Sequence, residues 1–299
     1  MSDDGFTLDV RSFRLSPRLE PYFTALYCMT IAGADDQPRF DLIFPEWTAM
    51  RFTQSGSPPL SGIAPEEPSP TWPFIFCGPA SRAVRLNLKS SRFWIFGLRP
   101  AGWATYVEED ASAHADRICD GSRAAAAAPF APILDIVNSA TGEIDTVARC
   151  IEDHLSGLSA PRVAAHDSIV ACEKALKDPQ VANVTLLADR VGVGRRTLER
   201  LCLRYFGFTP KLLLRRQRFM RSLARFTGEP EHGWSRCLDG QYVDQAHFVR
   251  DFRRFMGTTP SEFAESRGPM LHAALKRRLA EPDALPFVSS GTHLRGNIA

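Results

Sequence analysis

Histidine is missing from the first 113 residues of this 299-residue chain. Barrel enzymes that hold a metal need imidazole ligands in that region, so the absence argues against a metal-dependent enzyme there. The cysteines Cys28, Cys77, Cys119, Cys150, Cys172, Cys202 and Cys237 are odd in number, widely spread, and include no Cys-x-x-Cys pair. Neither a zinc site nor a disulfide framework is indicated, and such spacing fits buried or free thiols in a reducing compartment. No apolar run approaches the length that crosses a bilayer, and the acidic opening MSDDGFTLDV lacks the basic-then-apolar order of a secretory signal. The expectation is a cytoplasmic protein with no membrane partner, no metal and no cofactor.

Net charge is also small in total, at +2, but it is unevenly placed. Residues 161 to 278 carry 22 Lys and Arg against 12 Asp and Glu, whereas residues 1 to 160 carry 13 against 20. This asymmetry favours a polyanion-binding part joined to a part that does something else.

An internal repeat lies in the basic part. Shifting the sequence by 50 aligns LLADRVGVGRRTLERLCLRYFGFTP (186 to 210) with RCLDGQYVDQAHFVRDFRRFMGTTP (236 to 260) without a gap. Asp189/Asp239, Val193/Val243, Arg200/Arg250, Arg204/Arg254, Gly207/Gly257, Thr209/Thr259 and Pro210/Pro260 are identical pairs. Two copies are too few for a solenoid, so the repeat reads as a pair of small modules.

In the first module a short helix carries Leu187, Ala188 and Val191 inward, with Asn183 or Thr185 as its cap and Gly192 as its end. Gly194 is expected to permit the turn into a second helix whose inner face is Leu198, Cys202 and Tyr205. Two short helices about a glycine turn make a helix-turn-helix, in which the start of the second helix meets base edges in the major groove. That places Arg195, Arg196, Thr197, Glu199 and Arg200 at the bases. A nucleotide-binding reading of Gly192-Val193-Gly194 fails because no strand precedes it. In the second module Phe248, Phe252 and Phe255 recur at helical spacing and anchor the helix. Gln245, His247 and Arg250 then face the bases, since Gln pairs with adenine and Arg with guanine. Arg204, Arg253 and Arg254, further along their helices, suit phosphates. Asp251 is expected to pair with Arg254 or another helix arginine, because a bare carboxylate would repel phosphate.

These segments, LADRVGVGRRTLERLCLRYFGFTPK and DQAHFVRDFRRFMGTTPSEF, resemble the paired helix-turn-helix module of AraC/XylS-type transcription regulators over roughly residues 165 to 265. The resemblance implies two recognition helices in successive major grooves of double-stranded DNA, held apart by a connecting helix, here PKLLLRRQRFMRSLARF (210 to 226). It also implies RNA polymerase as a partner. One departure is that Gln241-Tyr242 stands where the family usually shows Gly-Phe, which predicts a strained or shifted turn.

The first half reads as short strands between turn-rich loops: FTALYCMTI, RFDLIFP, WTAMRFTQ, PFIFCGP, AVRLNLK and FWIFGLRP, with a long Pro/Ser/Gly loop at 55 to 73. In such regulators this place is often held by a cupin-like sensor. The fold class expected is therefore α+β multidomain, with an N-terminal β-rich barrel or sandwich and a C-terminal all-α double helix-turn-helix domain. The expected limits are 1–120 for the β-rich sensor, 121–160 for a helical linker or dimerisation segment, 161–280 for the DNA-binding domain and 281–299 for a flexible tail. Trp47, Trp72, Trp94 and Trp103 could line a small-molecule pocket or fill a core, and Arg99 could bind a carboxylate or cap a turn. The helix with Ile144, Val147, Ile151 and Leu155 could pack on the barrel or on a second copy in a homodimer. The competing functions are a DNA-repair enzyme with a helix-turn-helix appendage that uses a cysteine thiolate, though Cys28 and Cys77 sit in apolar segments without a nearby His, Lys or Arg to signal a reactive thiol, and a regulator whose N-terminal half binds a protein.

Overall fold

Residues of alternating polarity form two antiparallel sheets in the first half of the chain. The computed structural model describes residues 6–33, 39–139, 143–161, 163–228 and 233–265. The strands are β1 (Thr7–Phe13), β2 (Leu26–Ala32), β3 (Arg39–Ile43), β4 (Thr48–Gly56), β5 (Leu60–Ile63), β6 (Phe74–Cys77), β7 (Val84–Leu88), β8 (Ser91–Leu98) and β9 (Ile118–Asp120). Six of them pair in the order β1-β2-β8-β4-β6-β9, and β3-β7-β5 make a second sheet. The six segments expected as strands correspond to β2, β3, β4, β6, β7 and β8. β5 falls inside the stretch read as a loop.

Both faces of the larger sheet are covered. On the outer face, Met50, Phe52, Phe74, Trp94 and Phe96 pack against α1 (Pro100–Tyr106), α2 (Pro132–Ser139) and α3 (Ile144–Gly157). Val147, Ile151 and Leu155 of α3 are spent in this core, so between barrel and symmetry mate the helix takes the barrel. Within the 121–160 segment, Ala125–Phe130 is a 3₁₀ turn whose Ala126, Ala127 and Phe130 are buried in the same core. Trp94 and Trp103 fill this core, while Trp72 is 40% exposed.

The basic half is helical: α4 (His166–Lys177), α5 (Val184–Val191), α6 (Arg195–Leu201), α7 (Pro210–Gly228), α8 (Gly233–Cys237), α9 (Gln245–Met256) and α10 (Pro260–Glu265). Pro210 opens α7, where its missing N–H is not needed. The flexible tail expected from residue 281 lies outside the described residues.

The two halves share their apolar cores. The inner face of the sheets, through Ile43, Phe44, Ala64, Ala83 and Leu86, joins Phe219 and Leu223 of α7 and Phe248, Phe252 and Phe255 of α9 in one cluster. Trp47 joins Ile169, Leu187, Leu198 and Phe206 of the first helical unit in another. Arg99 starts α1, and it is no free ligand for an anion. Its Nε donates to the Phe23 carbonyl (3.2 Å), and its Nη1 pairs with Glu173 of α4 at 2.9 Å across the domain boundary.

Candidate nucleic-acid interface

The first unit is set by its cap and its turn. Asn183 Oδ1 accepts from the Leu186 N–H at 3.0 Å, satisfying one of the free donors at the start of α5. Gly192 ends α5 at φ +75°, a left-handed conformation that favours glycine, and its N–H returns to Ala188 and Asp189 carbonyls. Gly194, expected to make this turn, is in ordinary extended geometry as the N-cap of α6, so the turn belongs to Gly192 alone. Beyond Leu201 the chain widens into a π-helical turn, Cys202–Phe206. The extra residue rotates the buried face by one place, so Phe206 is buried and Tyr205, expected inward, is half-buried.

Arg195, Arg196, Thr197, Glu199 and Arg200 are all exposed at the start of α6. Among the described residues the three arginines form no ion pair. Arg204 differs, because its Nε lies 3.6 Å from Asp110 of the β-rich half.

In the second unit Asp244 caps α9 by accepting the His247 N–H at 2.6 Å. Phe248, Phe252 and Phe255 are buried and ring Phe219 of α7, with centroids 5.1 to 6.3 Å from it. Gln245, Arg250, Arg253 and Arg254 are exposed on the remaining face. His247 is only half-buried in the open, because its Nε2 accepts from Arg218 Nη2 of α7 at 3.1 Å. That bond requires the unprotonated nitrogen to face Arg218.

Asp251 pairs with helix arginines as expected, but with those of the connecting helix and not with Arg254, and its side chain is 0% exposed. Arg215 Nε pairs with one carboxylate oxygen. Arg218 Nη2 (3.2 Å) and the Tyr242 hydroxyl (3.0 Å) donate to the other. Its burial has no signal in the sequence, because Asp251, one residue from the anchor Phe252, is not an apolar residue. Burial and the neighbouring Asp251 charge push the Tyr242 phenol up, so it stays a donor. Arg218 also stacks over the Tyr242 ring at 4.4 Å.

The Gln241-Tyr242 departure is therefore built into the packing. Tyr242 ties the turn to Asp251, and Gln241 Nε2 donates to the Pro179 carbonyl of the first unit at 2.6 Å. Among the described residues no positive φ occurs between α8 and α9, so the strain expected there is absent.

The second helix of each unit is seated on the β-rich half by its C-terminal end. The Phe255 carbonyl accepts the Ala83 N–H at 2.6 Å. The repeat-matched Gly207 (φ +81°) and Gly257 (φ +71°) approach Pro79 and Ala64, where a Cβ would come to 3.0 and 2.8 Å. From α7, Arg216 Nη1 donates to the carbonyls of Ala80 (2.9 Å) and Glu46 (3.3 Å), and its guanidinium lies 4.1 Å over Trp47. The N-terminal ends of α6 and α9 are left facing solvent.

Of the thiols in the competing enzyme reading, Cys28 is buried and Cys77 is half-buried. Burial pushes Cys28 and Cys77 each up to about 12, outweighing nearby arginines (Arg92 and Arg11 for the first, Arg51 for the second) that the sequence did not reveal. Among the described residues no cluster of His, Cys, Asp and Glu could hold a metal, and no helix is long and apolar enough to cross a membrane.

Residues 187–266 match the family described as "Helix-turn-helix domain". No curated protein matches the sequence. Among solved structures, the fold is similar to ToxT from Vibrio cholerae, at 11% identity over 82% of this chain and 98% of that one, with a TM-score of 0.43. Unsaturated fatty acid bound ToxT from the same organism aligns at 10% identity over 88% of this chain and 97% of that one (TM-score 0.39). The AraC-like transcriptional activator CuxR aligns at 13% identity over 75% and 84% (TM-score 0.31).

Proposed function

We propose that this chain, whose residues 187–266 match a helix-turn-helix domain family, is a transcription regulator of the AraC/XylS type that reads two successive major grooves of double-stranded DNA. The observation that carries the reading is a shared arrangement: exposed arginines with no ion pair among the described residues stand at the start of α6 (Arg195, Arg196) and midway along α9 (Arg250), and one connecting helix packs against both units. Arg195, Arg196, Thr197, Glu199 and Arg200 contact bases from the first unit. Gln245, His247 and Arg250 do so from the second, with His247 braced by Arg218. Arg253 and Arg254 bind phosphates, and Arg204 joins them by exchanging its exposed pairing with Asp110, which is weakly held.

The β-rich half acts as the sensor in this reading. Glu46, Trp47 and Ala80, which Arg216 of α7 holds, also line the cavity between the two sheets. A small-molecule effector in that cavity would bear directly on the connector. Genomic DNA pull-down with the purified protein tests the DNA claim and yields the operator. Its affinity should fall with salt at a slope near −0.9 per neutralised phosphate. A flat salt response would refute it.

A further inference from the structure

Arg51 points from β4 into the cavity between the sheets, the face away from Met50 and Phe52. It is 7% exposed, and its Nε has no hydrogen-bond partner. Its Nη2 donates to Ser61 Oγ at 2.6 Å, a neutral hydroxyl that itself donates to the Pro59 carbonyl. The ring of Phe93 lies 5.7 Å from the guanidinium carbon. No carboxylate pairs with it among the described residues. Burial lowers Arg51 from 12.5 to about 10, so it still carries its charge at neutral pH. A buried cation without a counter-ion is costly to the fold, and one strand step away on the same face Thr53 Oγ1 is also buried without a partner.

Most of the remaining lining is apolar, with Tyr27, Ile43, Val84, Leu86 and Ile95 on the walls, and the cavity has a volume of about 70 Å³. Waters would find few polar partners there. Drug-sized ligands need about 300 Å³ or more, so the occupant is small. Glu46 is the other charged residue of the lining, on the side of Trp47. One cation, with a carboxylate across the cavity, suits a monoanion better than a dianion such as phosphate, and a guanidinium edge matches the fork of a carboxylate.

We propose that this cavity is the effector site, and that its ligand is a small monocarboxylate with a short apolar body, whose carboxylate completes the coordination of Arg51. The inference rests on the sensor reading above, since the same cavity meets Arg216 through Trp47 and Ala80.

The test is thermal unfolding of the full chain with butyrate and benzoate, against butyramide, benzamide and inorganic phosphate. The acids should raise the midpoint by about 5 °C or more at saturation, and the amides and phosphate should not. Arg51→Met should lose the acid response while unfolding no earlier than the unmutated protein without ligand, because a buried unpaired charge has been removed. Should Arg51→Met fail to fold, Arg51→Lys keeps a cation, and a weakened but acid-selective response supports the site. Equal shifts with acids and amides, a shift with phosphate alone, no shift with any probe, or an undiminished response in Arg51→Met overturns it. DNA pull-down on the same preparation separates the two claims: DNA binding without an acid response defeats only the ligand inference, and the reverse defeats only the regulator reading.

Discussion

Replacing Asp251 with alanine removes a carboxylate that three donors share and leaves all three beside a hole. Arg218, 16% exposed at its side chain, keeps its stack on Tyr242 and its bond to His247 but loses its counter-charge. Arg215, 33% exposed, can recover part of its hydration. Breaking a fully buried ion pair by removing one partner costs about 3–5 kcal/mol. Partial rehydration of Arg215 places the cost here near the lower end, about 3 kcal/mol. At 2–4 °C per kcal/mol for units of this size, the midpoint should fall by about 6–12 °C. Thermal and urea unfolding measure it, with Arg253→Ala as an exposed control expected within about 0.5 kcal/mol of the unmutated chain. The Asp251→Ala/Arg218→Ala double variant should lose less than the two single losses added, because each alone strands the other's charge. A cost below about 1 kcal/mol for Asp251→Ala, or strict additivity with Arg218→Ala, would refute the picture of α9 pinned to α7 through this carboxylate.

Further outcomes follow from the same geometry. Arg196→Ala or Arg200→Ala should lose about 1–3 kcal/mol of DNA affinity and relax preference at particular base pairs, whereas Arg254→Ala should weaken all sequences alike and reduce the salt slope by about one. Equal losses on operator and random DNA for all three would remove the base-reading assignment. Glu262 accepts from the Thr258 hydroxyl (2.6 Å) and the Thr259 N–H (2.7 Å) at the start of α10, which hold its carboxyl down to about 2 from 4.5. Since the folded value is the lower one, its contribution is present above pH 4.5 and is lost as pH falls through about 2. Carboxyl NMR titration should give a midpoint near 2, and a midpoint near 4.5 would show that the cap does not form. Thiol alkylation at neutral pH should mark exposed Cys150 while sparing Cys28 and Cys77. Rapid labelling of Cys28 or Cys77 would revive the thiolate enzyme.

The repeat made the two helical units legible, because a 50-residue offset preserves both helical periodicity and the glycine–proline ends. What sequence could not show are features fixed by distant partners. Asp251 sits beside Phe252 and reads as a partner for a helix arginine, but its full burial appears only when the arginines of α7 close over it. The π turn after Leu201 moves burial from Tyr205 to Phe206, and no residue type announces such an insertion. Arg51 and Thr53 alternate with Met50 and Phe52, a pattern that means solvent on one face of a single sheet. A second sheet lies over that face, so both residues are buried. β5 has four residues between Pro59 and Pro65, too short a run to outweigh its punctuation.

The central claim is that both helix-turn-helix units read DNA at once, from one rigid connector. α7 has 19 residues, or about 28 Å at 1.5 Å per residue, against about 34 Å between successive major-groove faces. Footprinting on the recovered operator should therefore show two half-sites on one face, about one helical turn apart. Inserting five base pairs between them turns one half-site to the opposite face. The insertion should reduce affinity to that of a single half-site. Unchanged affinity would mean that only one unit meets the DNA.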